Sequence, residues 1–147
     1  MALDPGKMTG WAMLDRQDGV FSSGEMEFLE MCDFIAQQAN THKAELVLVA
    51  ESFIIGPQTI KNTQAPWSLE MIGVIRYFSQ RYTGRDLVLQ APASAKRFAS
   101  DARLKHMGWH KPGKGHANDA SRHLLTVLAN RGWLATDELR KLAEVVG

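Results

Sequence analysis

Cysteine is nearly absent from this chain: Cys32 is the only one in 147 residues. That excludes an internal disulfide and any Cys-rich zinc site. With Phe28, Met31 and Ile35 near it at helical spacing, Cys32 reads as core filler rather than nucleophile, and a reducing cytoplasm is the default compartment. Long apolar runs are equally scarce, since nothing approaches the ~18 uninterrupted apolar residues of a membrane span. The N-terminus has no basic stretch leading into an apolar one, which argues against secretion. No internal repeat, low-complexity tract or interdomain linker interrupts the chain. Residues 1–147 therefore read as a single domain, long enough to bury a core.

Basic charge is missing from the front of the chain. Residues 1–51 hold only Lys7, Arg16 and Lys43 against nine acids, a balance of −6, whereas residues 52–147 carry +7. The excess concentrates in 96–116, where Lys96, Arg97, Arg103, Lys105, Lys111 and Lys114 are opposed only by Asp101. Such asymmetry suits a protein that needs carboxylates in one place and phosphate contacts in another. The plainer reading is a solvated charge cluster. Gly108, Trp109, Pro112, Gly113 and Gly115 tip the balance, because they make Met107–Gly115 a basic loop carrying an aromatic, suited to phosphate contact.

Periodicity divides the chain into alternating elements. Met1–Asp4 is a short apolar lead into the Asp4-Pro5-Gly6 turn, which implies either a brief first strand or a chain that starts slightly earlier. Thr9–Leu14 reads as a second strand, and Asp18-Gly19 turns it into a third over Val20–Gly24. Glu27–Thr41 repeats apolar residues at Phe28, Met31, Cys32, Ile35 and Ala39, an amphipathic helix. Glu45–Glu51 is a continuous apolar run ended by a carboxylate, as expected of a strand covered on both faces. Ser52–Pro66 is irregular. Trp67–Tyr82 is a second helix, Asp86–Gln90 a short strand, and Ser94–Ala99 and Asp101–Met107 short helices. His116–Arg131 and Thr136–Val145 close the chain as helices. This order predicts a mixed α/β sheet with helices on both faces.

Three acids stand out against this pattern. Asp4 ends the first strand and Glu51 the fourth, and an acid ending a buried strand is costly unless paired, hydrogen-bonded or metal-bound. If those strands are neighbours, the two carboxylates emerge together and repel, a conflict that a hard cation such as Mg²⁺ resolves. The third is in His116-Ala117-Asn118-Asp119-Ala120, where His116 and Asp119 share one side of a first helical turn. The small Ala117 and Ala120 let that turn lie close to the sheet. Each acid alone has an ordinary explanation: a turn former, a solvated strand end, a helix N-terminal charge. Their joint pattern points to a metal site.

These residues resemble a particular family. Leu-Asp-Pro-Gly-Lys-Met-Thr-Gly-Trp-Ala (3–12) resembles the first-strand signature of RuvC-type Holliday-junction resolvases. Val-Ala-Glu (49–51) resembles their second acidic motif. His-Ala-Asn-Asp-Ala (116–120), followed by Arg122 and His123, is similar to their closing motif, with the phage-encoded branch the nearest likeness. The resemblance implies an RNase H-like fold, a homodimer, branched DNA as partner and paired nicks across a four-way junction, in the cytoplasm of a bacterial or phage-infected cell. It implies Asp4, Glu51 and Asp119 as ligands of two Mg²⁺ (or Mn²⁺) ions about 4 Å apart that share Asp4. His116 stands where some members have an aspartate, as a fourth ligand or as a group orienting water or the scissile phosphate. The products it implies are a 5′-phosphate and a 3′-hydroxyl. Lys96, Arg97, Lys111 and Lys114 are the candidates for holding DNA phosphates. The family inserts an aromatic near the second acid; Phe53 stands in that region with Ile54 and Ile55 following it, and the resemblance does not fix the register among them.

Other readings compete. The same fold serves flap, branched-DNA and RNA–DNA hybrid nucleases, or a non-catalytic junction-binding adaptor. Asp4-x-Gly6-x-x-Thr9-Gly10 also resembles the phosphate turn of actin-like ATPases, but those need a second domain for which 147 residues leave no room. The second helix, with Trp67, Met71, Ile75, Phe78 and Tyr82, is either a dimer surface or, on the stronger expectation for an aromatic-rich helix, part of its own core.

Overall fold

In the first strand, neighbouring residues serve opposite cores. Ala2 packs with Ala12, Val49 and Leu124 on one side of the sheet, and Leu3 packs with Ala50, Met31 and Ile35 on the other. That alternation follows from the two-residue period of a strand and means that both faces are covered. The computed structural model describes residues 1–53 and 65–145. Its strands are β1 (Ala2–Asp4), β2 (Met8–Leu14), β3 (Phe21–Glu27), β4 (Val49–Glu51) and β5 (Val88–Gln90), in the order β3-β2-β1-β4-β5. β1 runs antiparallel to β2 and parallel to β4, β2 and β3 form an antiparallel hairpin, and β4 and β5 are parallel.

Helices α1 (Phe28–His42) and α2 (Ala65–Phe78) cover one face, burying Met31, Ile35, Met71 and Ile75. The other face carries α5 (Gly115–Asn130), flanked by α3 (Pro92–Phe98), α4 (Asp101–His106) and α6 (Thr136–Glu144). The expected mixed sheet with helices on both faces is therefore what the chain forms. α5 lies across β1 and β2 and is buried along most of its length, Ala117, Ala120, Leu124, Leu125 and Leu128 included. Among the described residues no helix is long and apolar enough to cross a membrane.

Several boundaries differ from the sequence reading, each for a physical reason. The third strand is Phe21–Glu27 rather than Val20–Gly24, because all seven of its residues pair with β2 and the ladder carries Glu25 and Glu27 along. The tight turn before it is as expected: Gly19 has φ 72° and the Asp18 carboxylate accepts from the Val20 amide at 2.9 Å. The apolar run Glu45–Glu51 yields a strand only over Val49–Glu51, although Leu46 and Leu48 are buried. Its parallel neighbours β1 and β5 begin at Ala2 and Val88, so no ladder exists for the earlier residues, and Lys43–Glu45 forms a 3-10 turn instead. The second helix ends at Phe78 rather than Tyr82, which lies in a wider turn over Ser79–Thr83. In α2, Met71 and Ile75 are core, Trp67 stays partly exposed, as does Tyr82 beyond it, and the most open apolar side chains are Leu69 and Tyr77. Most of the irregular segment Ser52–Pro66, with Ile54 and Ile55, lies outside the described residues.

Candidate active site

The Asp-Pro-Gly-x-x-Thr-Gly stretch has a function for each of its fixed members. β1 ends at Asp4, and the chain turns at Pro5-Gly6. Thr9, fully buried, closes the turn: its hydroxyl donates to the Gly6 carbonyl at 2.9 Å and accepts from the Gly6 amide at 3.3 Å. Gly10 pairs with Asp4 across the ladder and leaves space for α5. A Cβ at Gly10 would be driven into the His116 carbonyl and to 2.8 Å from the Ala117 nitrogen. The absence of a side chain at Gly10 thus sets how near the first turn of α5 comes to the strand ends.

Asp4 and Glu51 occupy the same end of adjacent parallel strands, one step beyond the Leu3–Ala50 pair. Alternation turns both toward α5, and both side chains meet imidazoles from it. Asp4 Oδ2 lies 2.7 Å from His116 Nδ1, and Glu51 Oε2 lies 2.9 Å from His123 Nε2. His123 Nδ1 in turn faces Gln90 Oε1 of β5 at 3.0 Å. Asp4, Glu51 and His116 open onto one cleft of about 460 Å³, whose walls include Lys7, Phe53 and Ile72.

The electrostatics follow from this crowding. The Asp4 carboxyl titrates above its ordinary value, chiefly because it is buried. The His116 hydrogen bond opposes that, and the negative charges of Glu51 and Asp119 add to it. His116 is pushed up, first by its hydrogen bond to Asp4, with burial opposing and the charges of Asp4, Glu25 and Asp119 assisting.

Asp119 sits one turn beyond His116 but is engaged elsewhere. Lys96 of α3 lies 3.3 Å from its Oδ2, and Arg122 donates to its Oδ1 at 3.1 Å. Arg122 also donates to the Ala99 carbonyl at 2.7 Å and pairs with Asp101, whose carboxyl it holds below the usual range. The fold thus brings Asp4, Glu51 and His116 onto one cleft, whereas Asp119 is not among the residues lining it and is paired with Lys96 and Arg122. Among the described residues no three His, Cys, Asp or Glu side chains form a cluster that could hold a metal ion. The donor chemistry nonetheless fits a hard divalent cation at Asp4 and Glu51. Two carboxylates from neighbouring strands share an opening with the His116 imidazole, an oxygen-rich donor set of the kind such an ion takes.

The basic residues divide. Lys96, Arg97 and Lys114 are exposed, although Lys96 pairs with Asp119 and Lys114 lies 3.5 Å from Glu25. Lys111 reaches back so that its ammonium meets the Ser23 carbonyl. The loop 107–115 is pinned by Asn118, whose amide exchanges two 2.8 Å hydrogen bonds with the Lys111 backbone. Trp109, expected as an aromatic for nucleic acid, is instead buried and stacked on Phe21 with ring centroids 4.3 Å apart. It anchors the loop to the core, since an exposed stacking platform would leave that area wet.

Sequence reasoning missed four participants. Glu25 of β3 caps α5: its carboxylate accepts from the His116 and Ala117 amides at 3.1 and 3.3 Å, where the helix dipole favours an anion. His123 meets Glu51, Arg122 meets Asp119, and Gln90 meets His123. His123 and Arg122 stood beside the closing motif, and their spacing from His116 along one helix was the available signal. For Glu25 and Gln90 none existed, because their roles depend on strand register.

No family model matches the chain, and no curated protein matches it in sequence. Solved structures do. RuvC of Thermus thermophilus in complex with a Holliday-junction substrate is 14% identical, with a TM-score of 0.60 over 89% of this chain and 94% of that one. A second Thermus thermophilus RuvC structure is 15% identical, with a TM-score of 0.56 over 89% and 95%. Together with the strand order and the helices on both faces, these likenesses establish that the chain has a RuvC-like, RNase H-like α/β fold.

Proposed function

We propose that the chain is a metal-dependent, structure-selective DNA endonuclease that resolves four-way (Holliday) junctions by paired nicks, leaving a 5′-phosphate and a 3′-hydroxyl. One observation carries the reading: Asp4 and Glu51 end adjacent parallel strands and face the helix that bears His116 and Asp119, within a RuvC-like fold. Asp4 and Glu51 would hold Mg²⁺ or Mn²⁺, two ions per site, with Asp119 joining when it exchanges Lys96 for the cation and His116 as a fourth ligand or neighbour. Bound there, a divalent ion supplies Lewis acidity, acidifying water and offsetting charge on the phosphate.

The chain's own groups do the rest. His116 holds a proton at Nδ1 against Asp4 and, being half exposed, stands between that carboxylate and solvent. From this position it can orient water or a phosphate oxygen by hydrogen bonding. Lys96, Arg97 and Lys114 offer exposed cations for DNA phosphates, with Lys111 available if it leaves the Ser23 carbonyl, and such contacts position DNA without reading its sequence. The homodimer that paired nicks require is part of the proposal, and so is the cytoplasmic setting of a bacterial or phage-infected cell.

The test is cleavage of a fixed four-way junction beside a duplex, a flap and an RNA–DNA hybrid, with and without Mg²⁺. The expected result is metal-dependent paired cutting of the junction, with Asp4→Asn and Asp119→Asn binding the junction but leaving it uncut. Wild-type cutting by both variants would overturn the metal assignment. Preference for a flap or hybrid would keep the chemistry and change the substrate, and binding without any cutting would make the protein an adaptor.

A further inference from the structure

We infer that His123 is a positioning residue for Glu51, holding one carboxylate oxygen so that the other is presented to a cation in the cleft. The inference rests on the metal-site reading above and concerns how this chain sets up that site. His123 is 1% exposed, on a stretch of α5 whose neighbours Leu124 and Leu125 are core. A leucine would fill such a place without any polar group to satisfy, so an imidazole there needs partners at both nitrogens. It has them. Nε2 meets Glu51 Oε2 at 2.9 Å and Nδ1 meets the Gln90 side chain at 3.0 Å. A carboxylate only accepts, so Nε2 carries a proton and donates it. That leaves Nδ1 of the neutral ring as an acceptor served by the NH2 group of the Gln90 amide, whose O and N exchange places by rotation of the side-chain amide.

The geometry makes this contact more than packing. Glu51 and Gln90 are register partners on the adjacent strands β4 and β5, and His123 spans from the helix to both. Among the described residues the imidazole is the hydrogen-bond partner of the Glu51 carboxylate. β4 is only three residues long, so its backbone alone does not fix the rotamer of its last side chain. The ring consumes Oε2 from the buried side, while Glu51 lines the cleft with its remaining surface. Gln90 keeps the imidazole from turning, completing a chain of Gln90, His123 and Glu51 in which only the last member meets the cleft.

Mn²⁺ binding to the metal-free full chain, followed by titration calorimetry, tests this without any cleavage. His123→Leu is expected to fold and to bind Mn²⁺ roughly 10- to 100-fold more weakly, the usual loss when an outer partner of a metal ligand is removed. His123→Gln restores most of the affinity, because its amide nitrogen can donate where Nε2 did, and no purely structural role for the ring predicts that rescue. Gln90→Leu weakens binding to a smaller degree. Glu51→Gln run alongside separates the two levels. If it loses Mn²⁺ while folded His123→Leu binds as wild type, the positioning role is overturned and the metal site stands. Wild-type binding by Glu51→Gln removes the metal role of Glu51 and the inference with it. Should His123→Leu fail to fold, the outcome rests on the other two variants, and unchanged affinity in Gln90→Leu overturns the proposal.

Discussion

At Asp4, burial and two nearby acids work against ionisation, and the His116 hydrogen bond only partly offsets them. The sign of the consequence is fixed by linkage. A carboxyl whose folded pKa exceeds its unfolded value binds more protons when folded, so stability falls as pH rises through that window. The penalty is absent below the ordinary carboxylate value and complete above the raised one. Asparagine cannot ionise, so Asp4→Asn in chelator-treated buffer is expected to unfold at a higher temperature than wild type at neutral pH, with the margin closing as pH falls toward the ordinary carboxylate range. His116 also has a raised pKa, and its favourable contribution, complete below its ordinary value, is lost as pH rises through the raised one. Its hydrogen bond to Asp4 is the main cause, so the His116 ring followed by NMR should titrate lower in Asp4→Asn. A stability margin that does not vary with pH would show that Asp4 is not the disfavoured charge.

Among the elements, α5 matters most, because it carries His116, Asp119, Arg122 and His123 and its first turn rests on β2 at Gly10. Gly10→Ala is therefore expected to destabilise by roughly 1–3 kcal/mol or more, since the methyl meets backbone that can give way only if the helix shifts. The same shift would break the 2.7 Å contact between His116 and Asp4, so activity should fall further than stability alone explains. Denaturant unfolding and junction cleavage measure the two, and a loss of under about half a kcal/mol would mean the helix has slack there. This element also shows what the sequence made legible. Ala117 and Ala120 announced a helix turn close to a sheet, and an acid closing an apolar strand announced Glu51. The carboxylate pair was foreseeable once β1 and β4 were taken as neighbours. Glu25 was not, because a charged residue extending a hairpin strand carries no local mark of the helix it will cap. Trp109 misled for a related reason: glycines and lysines around it describe the loop, whereas its burial depends on Phe21, far away in sequence.

For the whole molecule, paired nicks need two sites in one particle, and α2 offers a surface that could pair with itself. Leu69, Gly73 and Tyr77 follow at intervals of four along its exposed side, with Leu69 at 41% and Tyr77 at 59% exposure. A glycine within a helix costs about 1 kcal/mol relative to alanine. Among the described residues nothing lies within 4 Å of where the Gly73 Cβ would be, so packing against them does not require the glycine. Glu70 and Arg76 stand three residues to either side of Gly73. If two copies cross antiparallel at Gly73, the two-fold axis sets Glu70 against Arg76 of the partner subunit, and Leu69 against Tyr77 of the partner subunit, each pair occurring twice. Glu70→Arg then places like charges together at both ends of the contact. At up to about 1 kcal/mol per exposed pair, the dimer should weaken by roughly tenfold in sedimentation equilibrium. The double variant Glu70→Arg with Arg76→Glu restores the opposition and should regain the wild-type association, while a junction given Glu70→Arg at low concentration should accumulate single nicks. If the double variant stays as weak as the single one, the two copies do not meet along this face.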